Sequence, residues 1–466
     1  MNEKEESLPS KEFYLSVTLV GIVFMSWLML RSSSWTRKRD LFAVFFGDQT
    51  NFFLGVIAII PVLLVAGFIK LDRHGNTDAK IPWIGFIYGF GLWSISYMQT
   101  AGSRAIFSQA NGFAAMPSGL ADWWTIPDLV NCRNSTDCDR LGRPAIYGHG
   151  WKAFFLLGNN RIALLAGALA AGYVCYSIIK YSNKMSITSS ALIVLLSPSM
   201  VFSLERGQSD IFAIALVMLI INSKIKNKTL IFLLSLFMTS LKPFFAPLYL
   251  RVKPKLLHVI LLSPIYLFVY FLSMSFSLTN ISIARNATLY PPNYQIGVDQ
   301  LPSLFIQLTN NSYLIDPSIW KGAQSFKSSL IIGLVLYFVI LAVSRKMYIL
   351  HFQPHFQEAG EQLENQLVSI FSGIFLLIFL SGSQVYYKAW ISFPILLVLL
   401  RKLLKVKDNF SPWLGVLTAM SLFGTIGVNI WFIRTIGSFF IALFAGHVLL
   451  DSFNLLGRKQ KNESKE

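Results

Sequence analysis

The chain has 466 residues, 54% hydrophobic and only 14% charged, with a mean hydropathy of +0.55. A soluble chain typically carries about a quarter charged residues, so this composition excludes a string of water-soluble domains. The net charge of +17 does not indicate a nucleic-acid partner, because Lys and Arg fall in short links between apolar runs, as the positive-inside rule requires.

Apolar runs of bilayer length, about 17–25 residues, recur from end to end and predict an all-α polytopic transmembrane bundle of roughly 11–13 spans. The first run, 13–30, follows the acidic start MNEKEES and shows no small-residue cleavage site, so it reads as a retained helix rather than a cleavable signal. WTRKRDLFAVFFGDQTN leads to a second span at 52–69, and KLDRHGNTDAK to a third at 81–98. Residues 1–80 read as an N-terminal helical hairpin, 81–450 as the remaining transmembrane core, and 451–466 as a cytoplasmic tail.

The core opens with a polar stretch between apolar runs, the loop 99–150. It concentrates Asp122, Asp128, Asp137, Asp139, Arg143, Tyr147, His149 and several Trp. Two of the three cysteines, Cys132 and Cys138, lie in it, separated by five residues; the third, Cys175, sits in an apolar run. On an oxidising face Cys132 and Cys138 would form a disulfide. Two free thiols, or half of a metal site, are the alternatives, and no Cys or His pair at zinc-ligand spacing completes such a site.

Further spans follow near 160–179, 187–203, 209–223 and 229–241, then 256–276, 328–343, 367–381, 389–400, 412–428 and 430–450. A second long polar segment occupies 277–327. With the N-terminus inside and sides alternating, both long loops fall outside, together with LERGQSD and SGSQVYYK. The basic links KYSNK, SKIKNK, RVKPK, SRK and RKLLKVK fall inside. This parity requires 242–250 to return the chain to the cytoplasmic side, as a short span or a re-entrant segment. WTRKRD at 35–40 lands outside against the rule. N-glycosylation patterns at Asn134, Asn280 and Asn286 lie on the expected outer side.

The outer-face motifs carry a resemblance. ADWWTIPDLVNC…CDRLGRPAIYGHGW, with Asp122, Asp139, Gly142, Arg143, Pro144, Tyr147 and Trp151 in pattern, resembles the first external loop of glycosyltransferase family 87. LERGQSD and the Lys242-Pro243 step resemble that family's later polar turn and its Lys-Pro. SQVYYKAWISFPIL resembles its late Tyr-Arg stretch, with Lys388 standing where Arg is usual; a bidentate contact is lost by that exchange. The resemblance spans residues 82–450. It implies a GT-C-like membrane bundle and an inverting transfer of a sugar from a polyprenyl-phosphate donor to a lipid or glycan acceptor. It also implies no cofactor and no required metal, and an active site on the external face of a multi-pass cell membrane, the bacterial inner membrane.

Such a transfer needs a general base near the membrane surface. Asp122 is the first candidate, with Asp128 in reserve and Asp48 a rival if the core begins with the first helix. The bland reading of Asp122 is a helix cap. Its neighbours Trp123 and Trp124 would stack on sugar or sit at the headgroup interface. The phosphate leaving group needs cations, and Arg206, Lys242 and Lys388 lie at expected outer helix ends; snorkelling to headgroups is the alternative. Glu205, Gln208 and Asp210 are expected to order Arg206 or bind sugar hydroxyls, or simply to start the next helix. Arg143, Tyr147 and Tyr387 complete the substrate-binding candidates, and Asp299 lies in the second loop. There is no Walker loop, no dinucleotide fingerprint, no HExxH and no Gly-x-Ser-x-Gly. A lipid-linked glycan polymerase or flippase, and less readily a secondary transporter, are the competing functions.

Overall fold

The computed structural model describes residues 81–98, 123, 151, 160–184, 188–223, 225–274, 295–300, 302, 323–351, 362–382, 384–405, 412–426, 431–453 and 455. These are almost entirely helical. The helices are α1 (Ile81–Met98), α2 (Asn160–Lys184), α3 (Thr188–Leu195), α4 (Pro198–Glu205), α5 (Ser209–Asn222), α6 (Lys228–Leu241), α7 (Leu256–Met274), α8 (Ala323–His351), α9 (Gln362–Leu380), α10 (Phe393–Lys405), α11 (Pro412–Ile426) and α12 (Trp431–Ser452). Two 3-10 segments, Pro243–Val252 and Tyr386–Ser392, precede α7 and α10. A minimal antiparallel pair joins β1 (Gln295–Ile296) to β2 (Gln384–Val385).

Among the described residues, three helical stretches are long and apolar enough to cross a membrane: Ile162–Lys184, Ser329–Leu350 and Arg434–Ser452. Four further apolar helices are shorter. α8 leaves Ile331, Ile332, Val335, Phe338, Val339 and Val343 exposed, and α7 does the same with Leu257, Ile260, Leu261, Phe268 and Leu272. So much contiguous apolar surface is uncomfortable in water and natural against lipid.

Several boundaries differ from the sequence-based expectation, each for a local reason. The expected span 187–203 is two helices, because Pro198 cannot continue α3 but suits the first position of α4. Ser197 caps α4, its Oγ accepting from the Met200 N–H at 3.2 Å. α2 and α8 run on through KYSNK and SRK, which are helix ends rather than links. The expected return at 242–250 is the ten-residue 3-10 segment.

Two ends organise the bundle. At one end, Asp210 in the first turn of α5 meets Lys242, which follows α6. At the other, Tyr181 near the end of α2 donates to Asn222 (2.9 Å) at the end of α5, and Arg251 reaches Ser223. α6 therefore brings the chain back to the Asp210 end, and the 3-10 segment returns it to the Ser223 end. The basic stretches 180–184, 223–228 and 251–255 gather at the Ser223 end.

Small residues let the backbones approach closely. On α1, a Cβ at Gly85 would stand 2.6 Å from the Cys175 carbonyl oxygen of α2, and one at Gly89 would collide with the Ala171 carbonyl. Cys175 is buried there as a free thiol. α11 and α12 cross at Gly424 and Gly437, where a Cβ on either would lie 2.6 Å from the other's backbone. This is the small-xxx-small logic of membrane helix packing. Gly437→Leu is expected to cost about 1–3 kcal/mol of stability, the usual range for overpacking, read as a lowered Tm in detergent; an unchanged Tm would mean the crossing is not tight.

Candidate functional site

The polar cluster begins with a helix break. α4 ends in a paired cap: Gly207 N–H donates to Leu204 O (3.2 Å) and Gln208 N–H to Ser203 O (3.0 Å). That arrangement needs a residue in the left-handed region, and Gly207 supplies it with φ 63°. α5 then starts at Ser209. The break turns Arg206, Gln208 and Asp210 into the interior, leaving 7%, 2% and 2% of their surfaces exposed.

A buried carboxylate is costly unless a partner meets it. Asp210 Oδ1 accepts from Lys242 Nζ at 2.7 Å. Lys388 supplies a second favourable charge interaction with the same carboxylate. It lies in the second 3-10 segment, 8% exposed, with its Nζ 5.1 Å from the centre of the Phe244 ring. Three stretches far apart in sequence, at 206–210, 242–244 and 388, therefore meet at one end of the bundle. Helix polarity reinforces the pair: Asp210 sits in a first turn and Lys242 just past a last turn, each where its sign is favoured. Tyr270 of α7 lies within electrostatic reach of Lys242.

Among the described residues, the buried Gln208 Nε2, Ser209 Oγ and Asp210 Oδ2 find no hydrogen-bond partner. Buried polar groups are normally satisfied. Here a donor and an acceptor lie two residues apart in the same turn, a combination suited to a hydroxyl-bearing ligand.

An aromatic wall backs the site. Trp93 of α1, Trp123, Trp151 and Phe212 of α5 pack edge-on or tilted. Centroid separations are 5.4 Å for Trp93–Trp123, 6.4 Å for Trp123–Trp151 and 5.9 Å for Trp151–Phe212. Trp151 Nε1 donates to the Leu241 carbonyl at 3.0 Å, one residue before Lys242. Trp123 is fully buried in this group, packed against Trp93, Trp151 and Phe212.

The Lys388 turn is held from two sides. Trp390 Nε1 donates to Ser203 Oγ (3.1 Å), and Ser392 Oγ lies 2.7 Å from Thr425 Oγ1. Strand β2 immediately before it pairs with β1, and Val298 N–H donates to Phe379 O (3.0 Å). Residues 296–300 of the second long loop are buried, with Asp299 Oδ2 accepting from Gln300 Nε2 at 2.9 Å. This part of the loop is built into the bundle rather than a free connector.

The structure thus brings together Arg206, Gln208, Asp210, Lys242 and Lys388. Lys388 is buried, whereas a snorkelling lysine exposes its ammonium at the headgroups. Tyr387 lies in the 3-10 turn beside Lys388. Asp48, Asp122, Asp128, Arg143, Tyr147, Cys132 and Cys138 lie outside the described residues. Arg434 went unnoticed in the sequence: it is fully buried in the first turns of α12. Its signal was present as a lone cation in the apolar run WFIRTIGSFF. Among the described residues no three His, Cys, Asp or Glu side chains converge on a metal position. The chain matches no protein-family model, no curated protein and no solved structure.

Proposed function

We propose that the protein is an integral-membrane glycosyltransferase of GT-C type that transfers a sugar from a polyprenyl-phosphate donor to a lipid or glycan acceptor. The Asp210 end faces away from the cytoplasm, and the basic Ser223 end faces it, as positive-inside placement requires. In this reading the bundle has the roughly 11–13 spans expected from its apolar runs, and the site lies on the external face of a bacterial inner membrane.

The observation that carries the reading is the buried convergence of Lys242 and Lys388 on Asp210, with Arg206 buried in the preceding turn and with Gln208 Nε2 and Asp210 Oδ2 lacking hydrogen-bond partners among the described residues. Ammonium and guanidinium groups in a low-dielectric site stabilise the charge that develops on a phosphate leaving group. Gln208 Nε2 and Asp210 Oδ2 receive sugar hydroxyls. Asp210, tied to Lys242, serves as a hydrogen-bond acceptor, and the general base is Asp122, with Asp128 or Asp48 the alternatives. The family resemblance rests on the motifs quoted from the sequence and adds the donor class.

The test is transfer by purified protein in proteoliposomes. Radiolabelled polyprenyl-phosphate sugars serve as donors and a total lipid and glycan extract as acceptor. Wild type is expected to form a new glycosidic product, and Asp122→Asn to lose it while remaining folded. Product formed at the wild-type rate by Asp122→Asn moves the base to Asp128 or Asp48. Failure of wild type with every donor overturns the transferase reading.

A further inference from the structure

The 3-10 segment Pro243–Val252 is unusual in length: ten residues, where runs beyond three or four are uncommon. It lies alongside α5 and is held at both of that helix's ends. At its start, Lys242 pairs with Asp210 in the first turn of α5. At its finish, Arg251 grips the last turn of α5 and the link beyond. Its Nη1 donates to the Ile220 carbonyl and to Ser223 Oγ (3.1 Å), and its Nη2 to the Ser223 carbonyl (2.6 Å) and the Ile225 carbonyl (3.0 Å).

The lengths match. Fourteen residues of α5 at an α-helical rise cover about 21 Å. Ten residues at a 3-10 rise cover about 20 Å, whereas the same ten as α-helix would cover about 15 Å. Pro243 and Pro247 each withhold an N–H donor, Lys253 ends the segment in the left-handed region (φ 49°), and Gly373 of α9 packs against Pro247.

We infer that Arg251 is a positioning residue: by pinning the far end of this 3-10 strut, it holds Lys242 against Asp210 from the opposite end of the bundle. Released at Arg251, the segment is free to shift along α5 and to draw Lys242 off its partner. The inference rests on the proposed site only in giving Lys242 a phosphate to bind; the mechanical coupling is independent of it.

The experiment is a double-variant cycle on the full chain in detergent. Tm is measured for Arg251→Gln, Lys242→Met and the pair. Groups this far apart normally contribute additively. The strut predicts that the double variant melts no lower than the worse single one. Tyr181→Phe, which removes a different bond at the same end of α5, is expected to add its effect fully to that of Lys242→Met. If Arg251→Gln does not fold, Arg251→Lys carries the same cycle, since an ammonium cannot fork across four acceptors. Additive losses in the Arg251 cycle overturn the proposal. Dodecyl phosphate binding supplies the second readout. Arg251→Gln is expected to weaken it about tenfold, as Lys242→Met does, within the range of coupled neighbours. Unchanged binding by Arg251→Gln overturns the positioning role. No binding by wild type counts against the phosphate reading of the site and leaves the Tm cycle to decide the strut.

Discussion

Lys242→Met is expected to reduce sugar transfer by about 10²–10³-fold, the typical loss when one preorganised charge-stabilising group is removed from an active site. The same change is expected to destabilise the protein by about 3–5 kcal/mol, because it strips the direct partner from a buried carboxylate. Among the described residues, Asp210 keeps its interaction with Lys388 in that variant. Two measurements separate the effects: turnover in proteoliposomes, and unfolding in detergent. The double variant Asp210→Asn/Lys242→Met is expected to recover part of the stability, since the buried carboxylate is gone while Lys388 loses its interaction with it, and none of the transfer. If Lys242→Met unfolds like wild type, the 2.7 Å contact is not the stabilising pair described here. If it transfers like wild type, Lys242 does not serve the leaving group.

Trp151→Ala carries the second large effect. Trp151 is fully buried between Trp123 and Phe212, and truncating such a ring costs about 3–5 kcal/mol. It also removes the N–H that fixes the Leu241 carbonyl at the end of α6. Trp151→Phe isolates that second function. It keeps an aromatic ring against the cluster and leaves the carbonyl unmatched, at a cost of about 1–3 kcal/mol. Both variants are expected to loosen Lys242, the next residue along, so weaker dodecyl phosphate binding should accompany the lowered Tm. A Trp151→Phe protein as stable as wild type would reduce Trp151 to packing alone.

Much of the candidate site was legible before any geometry. Arg206, Gln208 and Asp210 stand out because charge and amide are rare between apolar runs, and a lone charge at a helix end asks for a partner. Lys242 stands out because Pro243 follows it and breaks the helix. The partner itself was not legible. Asp210 was expected to order Arg206, its near neighbour in sequence, yet its direct bond is to Lys242, brought over by α6. The burial of Trp123 was not legible either, for a related reason. A Trp beside an Asp in a polar loop looks like a sugar platform, and nothing local reports that α1 and α5 enclose it. Arg434 shows the reverse: its signal was plain and was absorbed into the span around it.

The helical class and the segregation of basic residues into links are properties of composition and order. They follow from the sequence by itself, because apolar periodicity and charge placement are local. So are the caps: Ser197-Pro198 splits a helix and Gly207 turns one, whatever surrounds them. The tertiary structure decided what those local pieces hold. The return of α6 lays Lys242 on Asp210, the β1–β2 pair and the Trp390–Ser203 bond seat Lys388 over Phe244, and Arg251 ties the end of Pro243–Val252 to the end of α5. These are distances between segments tens to hundreds of residues apart. They depend on how helices of given length pack, which no stretch of sequence encodes alone.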